Sequence, residues 1–162
     1  MKTIYIMLFA TISQINLCQD VISDLQLTKD IKLIGVAKIF IVSEHKIDTC
    51  DSGLGWSDIC KIDCKPGFGC DVGLDLPEYE LSSLSFEIAS KPIRLDVSQM
   101  YNPAYKGKLQ KGQFKLSKTK EGYILYGYFS DGTGTYVAQW EIIKGNSRRT
   151  VLSKDESDFW MM

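Results

Sequence analysis

The sequence predicts an all-β protein: an antiparallel sandwich or small barrel with a C-terminal meander, a long disulfide-stapled loop and a short C-terminal helix. Apolar and polar residues alternate with a period of two through much of the C-terminal half, which is typical of half-buried strands. Glycine-containing turns separate these segments. Four of the five cysteines crowd into one glycine-rich stretch. These observations leave the choice between a sandwich and a barrel open.

The C-terminal meander is the clearest element. In the segment 135–143 the alternation predicts a half-buried strand, and the residues expected to face the core are Tyr136, Ala138, Trp140 and Ile142. The preceding run 123–129 is apolar on both faces, as expected for a central strand. With 113–118 before it and 147–152 after it, these segments predict four antiparallel strands in sequence order.

Further strands are expected upstream. The segments 84–88 and 93–97 alternate on either side of Pro92, which indicates two strands or one strand bent at the proline. The β-branched run 31–42 predicts another strand. For 19–30 we expect a short helix or an irregular arm.

The last ten residues carry a helix-start signal. Ser153 and Glu156 have the spacing of a capping box, which predicts a short terminal helix. That helix would carry four apolar residues that we expect to cover the core: Phe159, Trp160, Met161 and Met162.

Residues 1–18 have the pattern of a secretory signal peptide. Lys2 precedes an apolar run at 4–10 that is far shorter than the roughly 20 residues of a membrane-spanning helix. We therefore expect a secreted or periplasmic protein, with no transmembrane segment after signal removal and with 19–162 as a single β-rich domain. A buried N-terminal strand is the structural alternative. A lipid-anchored form through Cys18 is disfavoured because Leu17 stands where such signals carry a small residue.

The segment 45–80 is the predicted loop, rich in cysteine, glycine and acidic residues. In an exported chain its cysteines are expected to form two disulfides. The pairing is open between Cys50–Cys60 with Cys64–Cys70 and the crossed arrangement. No C-x-x-C pair occurs and the acidic residues lack an EF-hand register, so we expect neither a metal nor another cofactor.

Charge is distributed unevenly although the totals balance. The chain has 19 basic and 20 acidic residues, which does not favour a nucleic-acid partner. Residues 48–80 hold eight acids and two bases, whereas 91–154 hold twelve bases and four acids. Such charges commonly just solvate outer faces of strands. As a functional feature, the acidic loop would favour a protein partner with a basic surface.

The sequence shows no catalytic motif. There is a single histidine, His45, and neither a G-x-S-x-G element nor a phosphate-binding loop. Because a triad is defined by geometry, sequence neighbours of His45 are no evidence for one. We interpret His45 as an ordinary residue at a strand end. Asp131 and Glu141 lie near a predicted hairpin, where Asp131 is better explained as a turn residue.

These features favour an exported protein-binding module, an inhibitor or a toxin-neutralising (immunity-type) protein, that acts through the constrained loop. The candidate binding residues are three apolar anchors and three acids: Leu54, Trp56, Phe68, Asp51, Asp58 and Asp71. The aromatic residues could equally form the loop's own small core. The alternatives are a small secreted carboxylate-dependent hydrolase acting on glycans, a glycan binder, and an envelope structural protein.

Overall fold

The computed structural model describes residues 20–51, 53, 55, 57–70, 75–129 and 134–160. The protein is all-β, with 59% of the described residues in strands. In these described ranges the strands are β1 Val21–Gln26, β2 Ile31–Ile39, β3 Ile47–Asp51, β4 Ser57–Ile62, β5 Tyr79–Ile88, β6 Lys91–Leu95, β7 Phe114–Lys118, β8 Gly122–Phe129, β9 Tyr136–Ile143 and β10 Asn146–Ser153. The predicted leader 1–18, including Cys18, lies outside the described residues.

The predicted C-terminal meander is confirmed. Its strands form a four-stranded antiparallel sheet in the order β10-β9-β8-β7, so β8 is central as expected. Tyr136 and Trp140 on β9 are fully buried, and Ala138 and Ile142 are each 2% exposed. The period-two pattern therefore identifies both the strand and its inner face.

A second four-stranded antiparallel sheet has the order β1-β2-β5-β6. Two strands form here, as one of the two alternatives predicts, but the break is at the turn Ala89–Ser90, with φ of 47° and 64°, and Pro92 lies within the edge strand β6, opposite Glu87. The expectation for 19–30 is wrong, because β1 is a strand paired with β2. Ser23 on β1 is buried, where its Oγ accepts a hydrogen bond from the Leu109 N–H at 2.9 Å. Because Ser23 is polar although it faces inward, the sequence of β1 lacks the alternation of apolar and polar residues that would have predicted a strand.

The two sheets form a sandwich with one shared core. Its members come from both inner faces and from the segment that joins the sheets, and they include Leu33, Leu84, Phe86, Leu95, Met100, Leu109, Leu125, Phe129, Tyr136 and Trp140. The strands that the structure describes do not close into a barrel. At β6 and β10 the sheets meet through side chains: the Ser147 Oγ donates to the Arg94 carbonyl at 2.5 Å, and the Arg149 guanidinium donates to the Ser98 carbonyl at 2.6 Å.

Helical structure is minor in the described part of the chain. Ser157–Trp160 forms one helical turn after β10, and this turn does not establish the predicted C-terminal helix. Met161 and Met162 lie outside the described residues. Within the described ranges, no helix combines the length and the apolarity needed to cross a bilayer.

Candidate functional site

The predicted loop 45–80 contains regular structure that its sequence does not reveal. β3 and β4 pair as an antiparallel hairpin that joins neither four-stranded sheet. We call this element, residues 47–62, the hairpin. A register shift between Asp48 and Thr49 places one extra residue in β4, and such bulges obscure a period of two.

A disulfide braces the hairpin. Cys50 on β3 and Cys60 on β4 are bonded, with their Cα atoms 5.9 Å apart. This is one of the two pairings that the sequence leaves open for these residues. Because the bond crosses the two strands near the middle of the hairpin, it holds their outer ends together without help from the sandwich.

The base of the hairpin is anchored by a small second core. Phe40, Ile62, Cys70 and Tyr101 form this cluster, and two further isoleucines of the hairpin, Ile47 and Ile59, pack against it. The hairpin is therefore seated at one end and extends from it with exposed residues on both strands.

The outer surface of the hairpin is acidic. Asp48 and Asp58 each neighbour a residue that packs inward, so the alternation of a strand puts them on the opposite face. Asp51 is exposed, and its carboxylate accepts a hydrogen bond from the Gly53 N–H at 2.9 Å. The structure thus places two predicted site residues, Asp51 and Asp58, on one element. Leu54, Trp56 and Asp71 lie outside the described residues.

Phe68 is not an exposed anchor. It is half-buried, it packs against the sandwich core, and its ring centroid lies 6.2 Å from that of Tyr136. Its backbone N–H donates to Gln99 at 3.0 Å, and its carbonyl accepts from Tyr101 at 2.8 Å. These contacts favour the alternative that the sequence left open, in which Phe68 has a core role.

The second predicted disulfide is not formed in the structure. Cys64 is exposed, whereas Cys70 is 8% exposed within the second core. Cys64 lies with Asp63 in a two-residue turn closed by hydrogen bonds between Ile62 and Lys65. Both turn residues have positive φ, 55° and 63°, as a tight hairpin turn requires. The Lys46 ammonium lies 3.7 Å from the Cys64 Sγ.

His45 occupies a more specific position than a strand end. Its Nδ1 lies 2.8 Å from a carboxylate oxygen of Asp63, and its Nε2 lies 3.6 Å from one of Glu80. Its ring stacks on Phe40 with centroids 4.4 Å apart and planes 10° apart. The hydrogen bond to His45, together with one from the Lys46 N–H at 2.9 Å, lowers the pKa of the Asp63 carboxyl. Sequence reasoning misses this cluster because its members are far apart in the chain.

A groove of about 650 Å³ is lined by residues of β5, by the end of β6 and the chain that follows it, and by Ser147 of β10. Several of its polar groups have partners within the chain. The Ser82 Oγ donates to the Val36 carbonyl at 2.9 Å. Burial opposes ionisation of Asp96, but hydrogen bonds from Ser98 and the nearby Arg149 outweigh it and lower the pKa of Asp96. We therefore interpret the groove as a gap between packed segments of the sandwich and not as a ligand site.

Among the residues that the structure describes, no group of three or more His, Cys, Asp or Glu side chains is arranged to hold a metal ion.

Comparison of the chain with protein-family models, with curated proteins and with solved structures finds no match.

Proposed function

We propose that the protein is an exported binding module whose recognition element is the disulfide-braced hairpin. The observation that carries this proposal is the combination of a covalent brace with independence from both four-stranded sheets. A rigid, exposed element loses little conformational entropy when it binds, so more of its contact energy appears as affinity. An inhibitor or an immunity-type protein is the kind of binding module that such an element suits.

The charge of the hairpin defines the partner. Residues 47–62 hold three aspartates and one lysine, and both strands carry exposed residues, although Asp48 and Asp58 are only partly exposed. Acidic groups on a rigid element speed the encounter with a basic protein surface. The disulfide fits an oxidising compartment, so the proposed location is extracellular or periplasmic.

A carboxylate-dependent hydrolase has less support. A general acid needs a pKa raised toward neutrality, whereas the pKa of Asp96 in the groove is lowered. Glu80 faces His45, and Glu141 forms an ion pair with Arg148 at 2.9 Å. Asp131 lies outside the described residues.

The proposal is tested by capture from the native extracellular fraction on the immobilised full chain, followed by kinetic measurement with the purified partner. The variant Asp51→Asn/Asp58→Asn removes two charges and keeps side-chain oxygens as acceptors. We expect its association rate to fall on the order of threefold to tenfold at low salt. The difference from wild type should shrink as salt screens the charges.

The matched control is Asp30→Asn/Glu121→Gln, which removes two exposed charges from turns of the sandwich. It should bind at the wild-type rate. Equal losses in both double variants would show that net charge alone matters and that the hairpin is not the recognition element. Turnover of a glycan or peptide library without stoichiometric capture would favour the hydrolase instead.

A further inference from the structure

The meander sheet ends at β7, an edge strand. In the order β10-β9-β8-β7, this strand is last, and among the described strands it pairs with β8 alone. An edge strand carries a row of backbone N–H and C=O groups that can pair with an added strand. The side chains of Phe114 and Leu116 pack against the sandwich core, so core packing holds β7 in position.

The register shows which backbone groups of β7 face away from the sheet. The Thr119 N–H donates to the Gly122 carbonyl at 2.9 Å, and these residues continue the β7–β8 register into the turn. In an antiparallel pair, residues bonded to the partner strand alternate with residues whose N–H and C=O point outward. Ser117 is therefore bonded to β8, whereas Leu116 and Lys118 direct their backbone groups to the open edge.

Lysine side chains flank the same edge. Residues 106–120 hold six lysines and no acidic residue, and all six lysines are exposed. Lys111 precedes β7, Lys118 ends it, and Lys120 lies in the turn that follows, before Glu121. Pairing of two β7 edges from two copies of the chain would bring like charges together, so this charge opposes self-pairing. The same charge attracts a strand that carries carboxylates.

We propose that β7 is a strand-addition site for an extended acidic segment of a partner protein. The segment pairs with Leu116 and Lys118 as a fifth strand of the meander sheet, and its carboxylates contact the flanking lysines. In this mode of recognition, main-chain hydrogen bonds give affinity and side-chain contacts give specificity. The site is separate from the acidic hairpin, which joins neither four-stranded sheet, so it does not rest on the proposed function.

The backbone groups at this edge favour a peptide over other polyanions. A nucleic acid or a sulfated polysaccharide would neutralise the lysines, but neither offers paired N–H and C=O groups at the repeat of a strand. Leu116 and Lys118 present such groups about 7 Å apart, which is the two-residue repeat of an extended peptide. Occupation of these backbone groups therefore distinguishes strand addition from attraction of any anion.

The test is an NMR titration of the full chain at low salt with the synthetic peptide acetyl-Glu-Val-Glu-Thr-Glu-Val-amide. At saturation, the amides of Leu116 and Lys118 should gain about fivefold protection from hydrogen exchange, because they become hydrogen-bonded. The amide of Ser117 is already bonded to β8 and should not change. The control peptide has lysine in place of each glutamate and should not bind.

One pair of variants tests the backbone contribution. Lys118→Pro removes the outward N–H without removing a bond to β8, as proline on an edge strand allows. Lys118→Thr loses the same charge but keeps that N–H, so it is the matched control. We expect the Kd of the acidic peptide to be about tenfold higher for Lys118→Pro than for Lys118→Thr.

A second pair tests the charge contribution. Lys111→Gln/Lys118→Gln should raise the Kd about fivefold at low salt, and the difference from wild type should shrink as salt is added. The control Lys29→Gln/Lys91→Gln removes two exposed lysines, one after β1 and one at the start of β6, and should bind like wild type. This pair and the wild-type exchange pattern keep the test decisive if Lys118→Pro fails to fold.

Three results would overturn strand addition. The first is a wild-type chain that does not bind the acidic peptide at millimolar concentration, or binds it without protection of the Leu116 and Lys118 amides. The second is an equal Kd for folded Lys118→Pro and Lys118→Thr. The third is a dimer of the chain alone in sedimentation that Lys111→Gln/Lys118→Gln abolishes, which would assign the edge to a second copy. The capture experiment on the hairpin is independent of all three.

Discussion

Gly69 shows how one residue joins the loop to the sandwich. Its φ is 90°, and a Cβ at this position would collide with the Tyr101 carbonyl and meet the Tyr136 ring. We expect Gly69→Ala to lower the free energy of unfolding by at least about 2 kcal/mol, because backbone strain and a backbone clash add. Gly112→Ala is the matched control, since a Cβ there meets nothing within 4 Å. Chemical denaturation of the two variants makes the comparison; equal stabilities would contradict this account.

Trp140 is the residue that sequence reasoning places most accurately. Its side chain is fully buried, and its indole N–H donates to the Asp96 carbonyl at 2.8 Å. Trp140→Ala should cost about 3–5 kcal/mol of unfolding free energy because it leaves a cavity in the core. Trp140→Phe keeps most of the apolar volume and should cost less, about 1–3 kcal/mol, mainly for the unpaired carbonyl. Urea unfolding curves measure both, and a loss near zero in Trp140→Ala would mean that the ring is not a core group.

Among the secondary-structure elements, the hairpin depends on its disulfide more than the sandwich does. The bond closes a loop of sequence separation 10, for which about 2–3 kcal/mol of stabilisation is expected. In Cys50→Ala/Cys60→Ala, amide protection should fall in the hairpin while β8 and β9 retain theirs, because neither hairpin strand pairs with the sandwich. Hydrogen exchange resolved by residue measures this difference. Equal loss of protection in both elements would show that the hairpin and the sandwich unfold together.

The hairpin also shows why elements differ in how well they can be predicted. In β9 the inward residues Tyr136, Ala138, Trp140 and Ile142 recur at every second position, and polar residues stand between the last three, so the inner face follows from the residue pattern although Val137 is also buried. β3 and β4 are short, have a register shift and bury only a few isoleucines against a second core. Their alternation is too brief to stand out among glycines and aspartates, and for this reason the sequence predicts an irregular loop where a hairpin forms.

Across the whole molecule, an ion pair helps to join the sheet edges. The Arg149 guanidinium on β10 lies 3.2 Å from the Asp96 carboxylate and also donates to the Ser98 carbonyl. Because the pKa of Asp96 is lowered in the folded protein, its stabilisation is present above the unfolded value and is lost as the pH falls through the folded one. Asp96→Asn should therefore weaken the decline of the thermal midpoint between about pH 5 and pH 2.

Calorimetry across this range provides the measurement. Asp30→Asn makes the same change of net charge on an exposed turn and should keep the wild-type pH dependence. If Asp96→Asn also kept it, the ion pair would have no part in holding the edges of the two sheets together.

The residue pattern is enough to establish the all-β class, the order of the meander, the inner face of β9 and the concentration of cysteine and acid in one segment. These features are local, because a period of two and a turn residue act within a few positions. The choice of a sandwich comes from the folded chain, since closing a barrel would require backbone ladders both between β6 and β10 and between β1 and β7, and the described strands form neither ladder. Folding also brings His45 between Asp63 and Glu80, carboxylates 18 and 35 positions away, because the path of the chain sets such distances and sequence spacing does not.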